Sequence, residues 1–152
     1  MRIMRIFAVV VIAVLCERAE ACRCTAPGSP LEELAKSDAV LSGTVTAVEV
    51  DATGPMPFDI ATVAVEECWK GGVAGSVRIV TPASSAACGT EFVVAVRYLI
   101  YAESIGGRLH TNLCTRTTLL EGAQEDLDAL GDPQCTTPIE PGTWSKVKRI
   151  YE

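Results

Sequence analysis

A single histidine, His110, serves a chain of 152 residues, and none of its seven cysteines falls in a C-x-x-C pair. The first shortage leaves one imidazole for any acid–base work. No Ser, Cys or Asp stands in a recognisable nucleophile context either. The second shortage removes the paired knuckles of a structural zinc site. Glu66 and Glu67 do not replace them as an acid/base pair, because neighbours in a strand pattern face opposite ways. Glu121, Glu125, Asp126 and Asp128 read as the solvated face of a helix, and His110, in a strand pattern, as a structural histidine. The expectation is a protein that is not an enzyme and has no cofactor of its own.

Positive charge is scarce too. The only basic cluster, Lys146-Val-Lys-Arg149, reads as a solvated terminus. Nucleic acid and anionic lipid need clustered Lys and Arg, so neither is an expected partner. Internal repeats and N-x-S/T sequons are absent. The apolar run Ile6 to Cys16 has 11 residues, against about 20 for a bilayer-spanning helix.

That short run belongs to a different device. Two arginines in Met1 to Arg5, the apolar stretch and the small-x-small pattern Ala19-Glu20-Ala21 form an export signal over residues 1–21, with cleavage before Cys22. The charge in that triplet argues against lipid attachment at Cys22. Cleavage removes three arginines and two glutamates, which leaves 10 basic against 17 acidic side chains, a net charge of −7. The product is expected to be secreted, or periplasmic or in the cell envelope of a Gram-negative bacterium. Ala- and Arg-rich usage with few Lys fits a bacterial exporter.

Six cysteines remain: Cys22, Cys24, Cys68, Cys88, Cys114 and Cys135. An even count in a small exported chain reads as three disulfides, with 15 connectivities open. Ser29-Pro30-Leu31-Glu32 is a capping box that predicts a helix to about Lys36. Alternation predicts strands over about 39–50, 61–69, 76–81, 92–102 and 108–114, with Gly43 marking a bulge or bend. Thr118-Leu-Leu-Glu121 is a second capping box, predicting a helix to Leu130 that Gly131 and Pro133 end. One domain over 22–131 is expected, mainly β with two peripheral helices, followed by a Pro-rich tail over 132–152. Periodicity leaves a small barrel and a sandwich both open.

Several of these segments come in a known order. The start Cys22-Arg-Cys24, the Trp69-Lys-Gly71 turn, Thr81-Pro-Ala-Ser-Ser-Ala-Ala-Cys-Gly89, and Tyr98-Leu-Ile-Tyr-Ala102 running into Gly107-Arg-Leu-His-Thr-Asn-Leu-Cys114 are the residues concerned. Together they resemble the N-terminal inhibitory domain of the tissue inhibitors of metalloproteinases, and the wider netrin-like modules. The resemblance spans about Cys22 to Leu130. It implies a five-stranded OB-type barrel and disulfides Cys22–Cys88 and Cys24–Cys114; the protein is expected to be a monomer. With those pairs taken, Cys68 and Cys135 are left to pair with each other. The family's bridge from the first helix, and its second cysteine-rich domain, have no counterpart here.

The resemblance also implies a mechanism, and the residues permit it. In an extended segment Cys22 and Cys24 face one way and Arg23 the other. An α-amine has a pKa of about 7.7–8.0, so a useful fraction is neutral near neutral pH. Amine nitrogen and carbonyl oxygen of Cys22 can chelate the zinc of a protease and displace the water that is its nucleophile. The expected protease-contacting residues are Cys22, Arg23, Cys24, Thr25 and Ala26, with Ser84, Ser85, Ala86, Ala87 and Cys88 as a second edge. Two positions depart from the family pattern. Arg23 stands where a small Ser or Thr enters a mostly apolar pocket, and Pro27 falls one place late. The alternative expectation is a netrin-like binding or structural module with no protease target.

Overall fold

A computed structural model describes residues 22–135. The expected leader, Trp144 and the basic cluster of the tail lie outside the described residues. The element order is α1 (Pro30–Lys36), β1 (Ala39–Asp51), β2 (Phe58–Lys70), β3 (Ser76–Pro82), a 3-10 turn (Ser85–Ala87), β4 (Arg97–Ile105), β5 (Arg108–His110), β6 (Thr118–Leu119), a second 3-10 turn (Leu120–Gly122) and α2 (Gln124–Leu130). No helix among the described residues is long and apolar enough to cross a membrane.

The chain is mainly β, and five strands close a ring in the order β1-β2-β3-β5-β4, with β4 returning to β1. All ring pairings are antiparallel except β3 with β5. The 13-residue β1 closes the ring because it serves two partners, β2 along most of its length and β4 through Ala39–Thr44. A strand that long must bend, and three register shifts along β1–β2 supply the bend. At Gly43 the backbone of β2 comes so close that a Cβ would sit 2.3 Å from the Ala64 carbonyl oxygen.

Alternation then sorts the side chains into two cores. Leu41, Val45, Val63, Ile79, Tyr98 and Ile100 pack inside the ring. Their neighbours Val40, Leu99 and Tyr101 face outward and are covered, with Trp69, by Ala123 and Leu130 at the α2 end of the chain. The Trp69 indole N–H donates to the Gly131 carbonyl at 2.7 Å, which fixes where α2 stops. Residues 134 and 135 donate from their backbone to the Cys68 carbonyl, beside the Cys68–Cys135 disulfide.

α1 runs to Lys36 as its capping box predicts, with the Glu32 carboxylate accepting from the Ser29 backbone N–H at 2.7 Å. Four expectations need correction. The fourth strand starts at Arg97, not Phe92. Ala95 takes a left-handed φ of 66°, and the Tyr98 hydroxyl holds the loop by accepting from Val93 N–H and donating to the Glu91 carbonyl. The fifth strand ends at His110, where the chain turns at Asn112. The second capping box does not cap, because Thr118 and Leu119 pair with β4 instead, and α2 starts only at Gln124. The Glu66 bulge breaks strict alternation. Thr44 donates to Glu66 and Ser42, two residues away, donates to Glu67, so both carboxylates reach the same face. Glu66 also pairs with Arg97, and its carboxyl is held below its ordinary pKa by the Thr44 hydroxyl first, and also by Arg97, against opposing burial.

A further correction concerns Asp126. It is buried, 5 % exposed, and not on a solvated face. Arg116 donates to it through Nε (2.6 Å) and Nη2 (2.8 Å), and the Tyr101 hydroxyl donates at 2.8 Å. Burial pushes the Asp126 pKa up, but the donors outweigh it and hold the carboxyl below its ordinary range. A depressed carboxyl contributes stability above its ordinary pKa of about 3.9 and loses it as pH falls through the folded value. Asp126→Asn should therefore cost about 3 kcal/mol in urea melts at pH 7. The gap to wild type should narrow at pH 3, and an equal gap at both pH values would mean the charge is not what matters.

Candidate functional site

The site is assembled from two loops that each carry one cysteine. β3 ends at Pro82, and Ser84 caps the following 3-10 turn by accepting from Ala87 N–H at 3.3 Å. Cys88 ends that turn in the left-handed region, φ 64°, and Gly89 donates back to the Ser84 carbonyl at 2.9 Å. A Cβ at Gly89 would lie 1.8 Å from the Pro82 carbonyl oxygen, so this turn can close only over a glycine. Thr90 N–H then donates to the buried Thr81 hydroxyl at 2.8 Å and returns the chain to the ring.

The second loop follows β5. The Asn112 side chain accepts from Cys114 N–H at 2.8 Å, and its carbonyl accepts from the Thr115 hydroxyl at 2.9 Å, a self-contained turn that turns Cys114 back. One backbone bond joins the loops, Leu113 N–H to the Cys88 carbonyl at 2.8 Å. Cys88 and Cys114 are thereby held as neighbours.

Onto this pair the segment Cys22–Cys24 is tied twice, through Cys22–Cys88 and Cys24–Cys114, each with Cα atoms 5.1 Å apart. These are the two pairs the resemblance implies, and the two cysteines left over form the third disulfide, Cys68–Cys135. All four clustered sulfurs lie within 4.8 Å of one another, and the non-bonded Cys22 and Cys24 sulfurs are 3.8 Å apart. Arg23, Thr25 and Ala26 are exposed, and so are Ser84, Ser85, Ala86 and Ala87. The structure thus brings all ten expected contact residues to the neighbourhood of two linked loops.

Past Ala26 the segment is held by polar contacts. Arg116 Nη1 donates to the Gly28 carbonyl at 3.1 Å, and Gly28 N–H donates to Glu33 at 2.9 Å. The Glu33 carboxyl also accepts from Lys36, and this bond is the main reason that its pKa stays low, against its burial. An open hollow of about 360 Å³ lies between Arg23, Pro27, Glu33, Lys36, Glu103 and Asn112. Sequence reasoning missed Asn112, Gly89 and Arg116 as supports. Asn before a turn was the one signal that could have indicated the second loop.

His110 packs edge-on to Phe58, with ring centroids 6.5 Å apart, and burial followed by the Arg108 charge lowers its pKa. Among the described residues the four clustered cysteines are the only group of three or more potential metal ligands. No protein-family model matches the sequence, and no curated protein matches it.

The two glycines Gly89 and Gly122 make a controlled comparison. A Cβ at Gly122 would meet nothing within 4 Å. Gly89→Ala should destabilise by about 2 kcal/mol or more in denaturant melts, whereas Gly122→Ala should fall within about 1 kcal/mol of wild type. Equal effects would mean the Gly89 turn yields without cost.

Proposed function

We propose that this chain is a secreted inhibitor of zinc metalloproteases of the tissue-inhibitor-like kind. It acts through the α-amine and carbonyl of Cys22 once the leader is removed. The observation that carries the reading is the double tether, which fixes three residues at the start of the mature chain by two disulfides from loops that are themselves hydrogen-bonded together. A segment ordered before binding loses little entropy on binding. That is what an N-terminal chelator needs if it is to displace a zinc-bound water.

The ring order also supports the reading. Five strands in the order 1-2-3-5-4 closing back to 1, with β3 parallel to β5, are compatible with an OB-type barrel. Three disulfides and the lack of a membrane-spanning helix among the described residues fit export to the extracellular space or the cell envelope. The protein works as a monomer without a cofactor of its own, and the only metal in the mechanism is the partner's zinc.

Arg23 sets the target. It follows the chelating residue, and in an extended segment its side chain alternates with those of Cys22 and Cys24, so it is the one to enter whatever pocket lies next to the zinc. Burying a guanidinium without a carboxylate costs several kcal/mol, so the target offers an acidic or open-ended pocket. The small residues Ser84–Ala87 add a second edge that lets a partner's backbone approach closely. Arg23 is also the one observation that favours the second reading, a netrin-like binding module with no protease target.

The test is a titration of the mature protein against a panel of zinc proteases, beside two variants. One carries an extra alanine before Cys22 and the other is Arg23→Thr. The extra residue should weaken inhibition at least 100-fold, because it removes the amine from chelating distance. Arg23→Thr should shift potency toward proteases with apolar pockets by 10-fold or more. No inhibition by any of the three would favour the binding module, and equal inhibition with and without the alanine would exclude the amine mechanism.

A further inference from the structure

From the geometry of the four clustered sulfurs we infer that Cys22, Cys24, Cys88 and Cys114 form a second, metal-binding state of the protein. When both disulfides are reduced, the four thiolates hold one zinc ion. This inference does not rest on the inhibitor reading. It concerns the reduced chain, whereas inhibition belongs to the oxidised one.

The distances carry the argument. A tetrahedral zinc tetrathiolate has Zn–S bonds of about 2.3 Å, which places its sulfurs roughly 3.8 Å apart. Cys22 and Cys24 sulfurs already stand 3.8 Å apart, and no pair among the four exceeds 4.8 Å. Reduction frees each bonded pair, whose Cα atoms stand 5.1 Å apart, to separate by side-chain rotation. Two of the ligands sit on loops fixed by bonds that survive reduction: Leu113 N–H to the Cys88 carbonyl, Cys114 N–H to Asn112, and Gly89 N–H to the Ser84 carbonyl. Half the site is therefore preformed in the reduced protein. The other half is a C-x-C segment whose two sulfurs face the same way. None of the four cysteines is fully buried, so reductant and metal can both enter.

The third disulfide lacks this property. Cys68 and Cys135 stand outside the cluster, so their reduction yields two thiols and no tetrahedral set. The C-x-C pair does not resemble a zinc knuckle, which is why sequence spacing alone gives no hint of the site.

The chemistry balances with a dithiol as reductant. Each cystine takes two electrons and two protons from one dithiol, which leaves as its own disulfide. Four cysteine thiols result, and binding of Zn²⁺ releases their four protons to give the dianionic tetrathiolate. The reverse step consumes two equivalents of a disulfide oxidant and four protons, and expels Zn²⁺ as both cystines re-form. The two states exclude each other, so zinc should also slow oxidative closure of the chain start.

The test uses the mature Cys68→Ser/Cys135→Ser protein, whose only thiols after reduction are the four of the cluster. It is reduced with a trialkylphosphine, which becomes the phosphine oxide with oxygen from water, and titrated with Co²⁺. One Co²⁺ per chain should bind, with the visible bands of a tetrahedral cobalt thiolate and a near-ultraviolet thiolate charge-transfer band. One equivalent of Zn²⁺ should bleach both and raise the melting temperature of the reduced protein. In a Cys24→Ser/Cys114→Ser protein the tetrathiolate spectrum should be lost and Co²⁺ affinity should drop at least 100-fold. Absence of tetrahedral bands in the four-cysteine protein overturns the inference. So does a zinc complex with no rise in melting temperature, since the metal would then be held by the unfolded chain. Full-strength bands in the Cys24→Ser/Cys114→Ser protein overturn it as well.

Discussion

The hydrogen bond from Leu113 N–H to the Cys88 carbonyl, 2.8 Å long, sets the geometry on which the rest of the site depends. It joins the loop after β3 to the loop after β5, and those two strands are the parallel neighbours of the ring. Each loop carries one cysteine, so fixing the loops fixes where Cys22 and Cys24 can be bonded. Each closed loop spans more than sixty residues, and in the chain-entropy account each such link adds on the order of 4 kcal/mol. The fold concentrates this covalent constraint on three residues of chain, while the strands themselves rest on burial and backbone pairing.

The ring makes that concentration possible through strand alternation. Because β1 and β4 are each buried on both faces over part of their length, Leu41 and Ile100 fill the interior while Val40, Leu99 and Tyr101 face outward to meet Trp69 and α2. The outer layer also carries the buried Tyr101–Asp126–Arg116 network, and Arg116 reaches on to Gly28. The same guanidinium thus anchors α2 and restrains the segment that follows the tethered Cys22–Cys24. Packing of the outer core and placement of the candidate site are consequently coupled through one side chain.

Much of the frame was legible in the residues. Ser29-Pro30 with Glu32 announced α1, alternation announced β1 to β3, and Gly43 announced the bend that lets β1 serve two partners. The failures have physical reasons. Phe92 to Val96 is apolar and looks like strand, but a left-handed Ala95 and the Tyr98 hydroxyl bend it into a loop. Thr118 was spent on pairing with β4, so its hydroxyl was never a cap. Asp126 carries a helix-surface pattern, and only the tertiary structure brings Arg116 to it. The bond between the two cysteine loops is made by backbone groups, which every residue has, so no side chain advertises it. Gly89 was visible as a glycine but not as one whose Cβ would overlap the Pro82 carbonyl.

The central claim is that Cys22 begins the mature chain with a free amine and is held at Cys88. Trypsin can read both halves at once, because cleavage after Arg23 separates the two disulfides. Mass spectrometry of a non-reduced digest of the exported protein should find the dipeptide Cys22-Arg23, unmodified at its amine, bonded to the peptide Ile79–Arg97. It should also find Cys24–Lys36 bonded to Leu109–Arg116. A longer or acylated first peptide, or the dipeptide bonded to Leu109–Arg116, would contradict the account.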